Sequence, residues 1–341
     1  MKHAVVRPVA ENDLVELQTL ARSVRGLTTL PHDTESLQNK IDDSLKAFNP
    51  KVRKPGGESY LFVLENLDTG RLLGTSGIVS KVGGFDPFYT YKIKTETLKC
   101  DSINVVKHAK VLWLHANHNG PSEMCSLLVS EDARRHGLGR LISLARFLFM
   151  AEFSGRFDKH VIAEMRGVDH GDGQPPFWEC VGSHFFGTDF YTADAMTGKG
   201  DKTIITDLMP RHPLYIELLP QSAQDVIGKV HENTKPALKL LESEGFVFHD
   251  EVDIFDAGPT LTAPLKKIRT VGDSRKAPFQ QCANTPASGF KMGLFSNAKL
   301  DFRCVVAPIV ETKSGTVELD EKVVAALALG VKDEVRYVTL K

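Results

Sequence analysis

A six-residue segment, Arg134-Arg135-His136-Gly137-Leu138-Gly139, constrains this chain more than any other, because it stands between a strand and a helix. Met124 to Ser130 reads as the strand, a short run rich in apolar residues. From about Leu138 to Phe153 the apolar residues crowd at helical spacing. An Arg-x-x-Gly-x-Gly loop at such a junction can bind an anion. Its glycines leave the first backbone N–H groups of the helix uncovered, so a pyrophosphate can approach them. Arg134, Arg135 and Arg140 add cationic character beside the same groove. The helix dipole contributes a further favourable term, typically under ~1 kcal/mol when exposed. A glycine turn with solvated arginines is an equally ordinary reading of six residues. The surrounding chain has to decide.

The length of 341 residues allows a sizeable core and two or three domains. A formal net charge of −1 argues against a general nucleic-acid binder, which shows a basic excess. The cysteines, at 100, 125, 180, 282 and 304, are odd in number and lack Cys-x-x-Cys spacing. Reduced thiols in a cytoplasmic protein fit this better than a disulfide framework or a metal site. The N-terminus has no apolar signal core, and no apolar run approaches the ~20 residues of a membrane span.

Elsewhere the pattern alternates strands and helices. Ala4 to Val9 reads as a first strand. Leu14, Leu17, Leu20, Ala21 and Val24 mark one helix; Leu37, Ile41, Leu45 and Phe48 mark a second, capped near Asp33 or Thr34. Tyr60 to Glu65 and Arg71 to Ser80 form a hairpin around Asn66-Leu67-Asp68-Thr69-Gly70. Residues 84–110 resist assignment. Val111 to His115 and His160 to Met165 read as strands, and Pro176 to His184 as a short helix. A helix-strand unit begins near Thr234, and beyond about 266 a small β-rich tail follows.

The order of elements around the loop resembles the GNAT-type N-acyltransferase superfamily. Val6-Arg7-Pro8 with Asp13, and the segment Pro176-Phe177-Trp178-Glu179-Cys180-Val181-Gly182, look like other parts of that fold. The resemblance implies an α+β fold: a mixed, mostly antiparallel sheet flanked by helices, with two strands splayed around an acyl-CoA. Here the helix-strand unit and the β-rich appendage are added. The implied divisions are 1–200 for acyl-CoA binding, 201–265 to complete the active site, and 266–341 for the tail. More specific blocks resemble the arginine N-succinyltransferase family: Gly26-Leu27-Thr28-Thr29-Leu30-Pro31, Ala163-Glu164-Met165-Arg166-Gly167, Leu208-Met209-Pro210-Arg211-His212-Pro213, Val226-Ile227-Gly228-Lys229-Val230-His231 and Val252-Asp253-Ile254-Phe255-Asp256-Ala257-Gly258-Pro259. Ala257 departs from the second glycine more usual in the last block.

That resemblance implies succinyl transfer from succinyl-CoA to the α-amine of L-arginine, with no metal and no further cofactor. It implies Leu127 for succinyl-CoA contact, beside Arg134, Arg135, Gly137 and Gly139 of the loop. It implies His231 as proton donor; twelve histidines give residue chemistry no reason to choose it. A succinyl carboxylate calls for a cation, for which Arg166 with the Arg25–Thr29 loop is a candidate. A guanidinium calls for a carboxylate, for which Glu164, Asp253 and Asp256 are candidates. Glu123 and Glu164 are alternative bases acting through water. Use of another acyl-CoA, of ornithine, or a non-catalytic CoA-binding subunit are the competing readings. The expected partners are small molecules alone, without nucleic acid or membrane, and a homo-oligomer stays open.

Overall fold

The helix after the glycine loop is apolar on nearly every side, so it has to be covered on nearly every side. In this computed structural model it runs Leu138–Glu152, and Leu138 and every residue from Leu141 to Met150 are buried. The structure describes residues 3–23, 30–84, 86–134, 136–171, 174–198, 203–283 and 290–340, with only the backbone of Asp132 and Gly198.

The strands are β1 (Ala4–Pro8), β2 (Ser59–Asn66), β3 (Leu72–Val79), β4 (Phe88–Cys100), β5 (Val105–Asn117), β6 (Ser122–Val129), β7 (His160–Glu164) and β8 (Leu214–Tyr215). They continue as β9 (Val247–Val252), β10 (Pro259–Pro264), β11 (Arg275–Cys282), β12 (Met292–Ser296), β13 (Cys304–Pro308), β14 (Val317–Asp320) and β15 (Glu334–Thr339). They join in the order β14-β11-β15-β12-β13-β1-β2-β3-β6-β7-β10-β9-β4-β5-β8. Pairing is antiparallel except between β6 and β7 and between β11 and β14. The C-terminal strands thus extend the same sheet, with β13 lying on β1. Phe302 of that region meets Phe62 and Phe149 at ring-centroid distances of 5.7 and 5.3 Å, so it shares the core under the long helix. The fold class expected from the sequence is the one observed. Among the described residues no helix is long and apolar enough to cross a membrane.

The stretch that resisted assignment is a long hairpin, β4 on β5, paired from Phe88↔Asn117 to Cys100↔Val105. Among the described residues, neighbouring strands pair with it only in its inner half, at Tyr91 and Lys92 on one edge and Val111 and Leu112 on the other. Beyond that inner half both faces meet water, so no apolar alternation was there to read.

The feature that shapes the site is a bulge. On β6, Leu128 pairs with Thr75 of β3 and Cys125 with Gly77, so Ser126 and Leu127 stand opposite the single residue Ser76. Ser126 adopts φ 50°. A side chain at Gly77 would put its Cβ 2.9 Å from the Cys125 sulfur and 3.2 Å from Ser126, which accounts for this glycine. The carbonyls displaced by the bulge find Arg146. Its Nη1 donates to the carbonyls of Gly77 and Cys125, each at 3.2 Å, while Nε and Nη2 donate to the Ser143 carbonyl and hydroxyl. The side chain is buried, and its partners among the described residues are all neutral oxygens. Burial pulls the guanidinium down to about 10, so it remains charged at neutral pH.

Arg146→Met keeps similar bulk but removes the donors. Two buried carbonyls then lose partners at ~1–3 kcal/mol each, offset in part by the removal of a buried charge. We expect a net loss of about 2 kcal/mol of unfolding free energy, read from the urea midpoint. An unchanged midpoint would show that the bulge stands without the guanidinium.

Candidate active site

Two neighbouring strands part beside the bulge. β6 and β7 pair only at Ser122↔Val161 and Glu123↔Ile162. Leu127 lies four residues beyond the last of these pairs, in the bulge itself, half-buried against the main core. Its stretch of backbone therefore borders a gap instead of a partner strand. The chain then turns at Ser130 through a single helical turn, Glu131–Arg134. Arg134 is exposed, and its Nε donates to the Val129 carbonyl at 2.9 Å. Gly137 is the N-cap of the long helix with φ 72°, a conformation that favours glycine. Among the described residues, a Cβ at Gly139 would lie within 4 Å of Val129 alone, at 3.9 Å. The protein itself thus leaves space over this first turn, as anion binding requires. Arg135 lies outside the described residues, as does the Arg25–Thr29 loop.

On the far side of the gap, β7 ends at Glu164 and the chain runs on to Arg166 and Gly167. Gly167 forms an isolated bridge with Val230, and the His231 N–H donates to the Arg166 carbonyl at 2.9 Å. The 201–265 region thereby sets His231 beside the end of β7. The block from Val252 to Pro259 acts as the clamp. Asp256 accepts the N–H groups of Gly167 and Gly258, each at 2.7 Å, and the Gly228 N–H donates to the Ala257 carbonyl at 2.9 Å. Ala257 itself has φ 55°, a left-handed conformation that favours glycine. Asp253 Oδ1 accepts the N–H groups of Phe255 and Asp256, closing the turn. Burial first, and the Asp253 charge second, raise Asp256 well above the ordinary carboxylate range.

His231 is held by both ring nitrogens. Nδ1 accepts the Asn233 N–H at 3.1 Å, and Nε2 lies 3.5 Å from Asp169 Oδ1. Asp169 Oδ2 is also 2.6 Å from Arg166 Nη2, and its Oδ1 accepts the Gly171 N–H at 2.8 Å. Burial opposes the Asp169 charge, but the Gly171 N–H, Arg166 and His231 outweigh it and hold the carboxyl below its usual value. Glu164 is half-buried and paired across the sheet with Thr260. Thr260 Oγ1 is buried without a hydrogen-bond partner among the described residues. Glu123 pairs with Ile162, and Ile162 shares a strand face with Glu164, so both glutamates project from the same side of the sheet.

The structure thus gathers Arg166 and His231 near Glu164 at the end of β7, with Asp253 in the turn behind them. Leu127, Arg134, Gly137 and Gly139 lie along β6 and its loop. Sequence reasoning missed Asp169 and Asn233. Asp169 sits in the polar run Val168-Asp169-His170-Gly171, which reads as any solvated loop. Only the contact with His231, 62 residues away, sets it apart.

The chain matches the family model of the arginine N-succinyltransferase beta subunit over residues 4–270, and that of its C-terminal domain over residues 275–339. It is 40% identical over 337 residues to arginine N-succinyltransferase subunit beta of Pseudomonas aeruginosa, covering 98% of each chain. It is 38% identical over 338 residues to an arginine N-succinyltransferase of Escherichia coli, covering 98% of this chain and 97% of that one. Among solved structures it resembles arginine/ornithine succinyltransferase subunit AI from Pseudomonas aeruginosa, with TM-score 0.90, 33% identity and 99% of each chain covered.

A branched side chain at Gly139 would enter the open space above the helix and the path of a pyrophosphate. Gly139→Val should therefore raise the apparent KM for the acyl-CoA at least tenfold while circular dichroism and melting stay near native. A folded variant with unchanged acyl-CoA affinity would remove the loop from the site.

Proposed function

The chain belongs to the arginine N-succinyltransferase family, and on that premise we propose that it transfers succinyl from succinyl-CoA to the α-amine of L-arginine. Likeness along almost the whole chain to relatives that bear this activity in their names carries the reading. The gap between β6 and β7, bordered by the glycine loop on one side and His231 on the other, is consistent with it. In this reading residues 1–200 hold the acyl-CoA, 201–265 bring His231, and 266–341 complete the sheet. Both substrates are small metabolites, and we read the protein as cytoplasmic, in keeping with its free cysteines.

The amine nitrogen attacks the thioester carbonyl carbon, the C–S bond breaks, and the sulfur takes the electron pair. The amine gives up a proton to a base acting through water, for which Glu123 and Glu164 are candidates, and the departing thiolate gains one from an imidazolium, which is recharged from solvent. We assign His231 as the group that gives the thiolate its proton. Leu127 backbone would contact the acyl-CoA along the bulge, with Arg134, Arg135, Gly137 and Gly139 around the pyrophosphate. Arg166, 39% exposed at its side chain, is our candidate for the succinyl carboxylate. Between the acidic candidates, Glu164 is favoured over Asp253 for the guanidinium, because Asp253 Oδ1 already closes a turn.

Mass spectrometry of arginine incubated with the protein and succinyl-CoA tests the activity directly; the N-succinyl product is expected, and its absence with active relatives as controls would overturn the reading. Succinyl-CoA should be preferred to acetyl-CoA by at least roughly tenfold in kcat/KM, because a cationic partner left without its carboxylate costs ~1–3 kcal/mol. Equal use of the two donors would sink the succinyl assignment. His231→Gln should lower kcat about 10²–10⁴-fold with little change in either KM. Near-normal kcat would refute the proton-donor role and turn attention to Glu123 and Glu164.

A further inference from the structure

We propose that Asp169 is a positioning residue for the reaction: it holds the His231 imidazole in one orientation and one tautomer, and Arg166 in turn holds Asp169. The inference rests on the role assigned to His231 above. The geometry starts from the ring. Because Nδ1 accepts the Asn233 N–H, the neutral imidazole carries its proton on Nε2. Nε2 is the nitrogen that faces Asp169 Oδ1, at 3.5 Å. That separation is long for a hydrogen bond, so the carboxylate favours this orientation and the Nε2–H tautomer by charge.

Asp169 is suited to this work. Its side chain is only 6% exposed, while that of His231 is 16% exposed, so the pair is screened weakly by solvent. The carboxylate cannot swing away easily, because the Gly171 N–H binds one oxygen and Arg166 the other. The backbone under it is equally constrained: Gly167 is bridged to Val230, and Arg166 offers its carbonyl to the His231 N–H. Two contacts therefore join the same two segments, one through backbone and one through the Asp169–His231 side chains. The backbone contact already fixes where His231 sits. The side-chain contact adds only orientation and tautomer, which is what proton transfer needs and folding does not. Two other acids nearby are otherwise engaged: Glu232 pairs with Lys235 at 2.6 Å, and Asp256 binds the N–H groups of Gly167 and Gly258.

Asp169→Asn tests this with almost no change in shape. The amide can present an N–H to Nε2, which favours the wrong tautomer. Groups that orient a metal-ligating histidine are typically worth about 10–100-fold, and the same scale is taken here. We expect kcat to fall by that factor with both KM values within about threefold, and the melting temperature to stay near native. Nitrogen-15 spectra of histidine-labelled protein, with the His231 signals assigned through His231→Gln, should lose the single Nε2–H pattern. Asp169→Glu keeps the charge and should retain that pattern and recover most of kcat. A kcat within twofold of native in Asp169→Asn, or an unchanged ring pattern, would overturn the proposal. So would equal losses in the Asn and Glu variants. If Asp169→Asn does not fold, Asp169→Glu decides alone: an altered ring pattern with native kcat overturns the assignment, and the Nε2–H pattern with kcat within tenfold supports it. If His231→Gln itself keeps normal kcat, the reading of His231 has failed, which is a separable result.

Discussion

The buried guanidinium of Arg146 is the interaction on which this architecture turns. A bulge in the middle of a sheet frees carbonyl oxygens that water cannot reach, and an orphaned buried carbonyl is costly. Arg146 reaches from the long helix and takes the carbonyls of both strands, Gly77 on β3 and Cys125 on β6. It thus joins the long buried helix to the bulged strand pair. With the bulge in place, β6 bends away from β7 after Glu123, and a gap opens where a regular sheet would have closed. The glycine loop follows immediately, so the element that would grip a pyrophosphate and the gap that would admit a thioester come from one continuous stretch of chain.

The opposite wall is built by a different device. His231 follows a segment whose Ile216, Ala223 and Val226 pack into a second core, and the turn from Asp253 to Gly258 anchors it to the end of β7. Asp256 is central there, since its two oxygens hold Gly167 and Gly258. This buried carboxyl, pushed toward its neutral form by burial and by Asp253, shapes backbone and has no call to reach a substrate. Asp169 is the contrasting case. It is held below the usual carboxylate value, flanked by Arg166 and the imidazole, with its side chain nearly buried in the same wall. Two acids in adjacent loops are thus assigned different work by their surroundings, as environment commonly dictates for carboxylates.

The sequence by itself determined the elements with strong local signals. The glycine loop, the apolar helix behind it, the hairpin around Asn66 to Gly70 and the strand at β6 could all be read from spacing and turn chemistry. Family likeness supplied Leu127 and His231, which their own chemistry would not have singled out. The glycines of β3 stand in the sequence, but what Gly77 leaves room for, the Cys125–Ser126 bulge, does not. Of the long hairpin only Val111 to His115 could be read, because exposure of its outer part on both faces erases the alternation by which strands are recognised. What only the tertiary structure decided are contacts between residues far apart in the chain: Arg146 with Gly77, the C-terminal β13 lying on β1, Asp256 with Gly167, and Asp169 with His231. Local sequence fixes backbone preference and the face a residue presents, over distances of a turn or a strand. Which polar group meets which, once buried, is set by how the sheet bends and where two loops close on each other, and that is a property of the assembled fold.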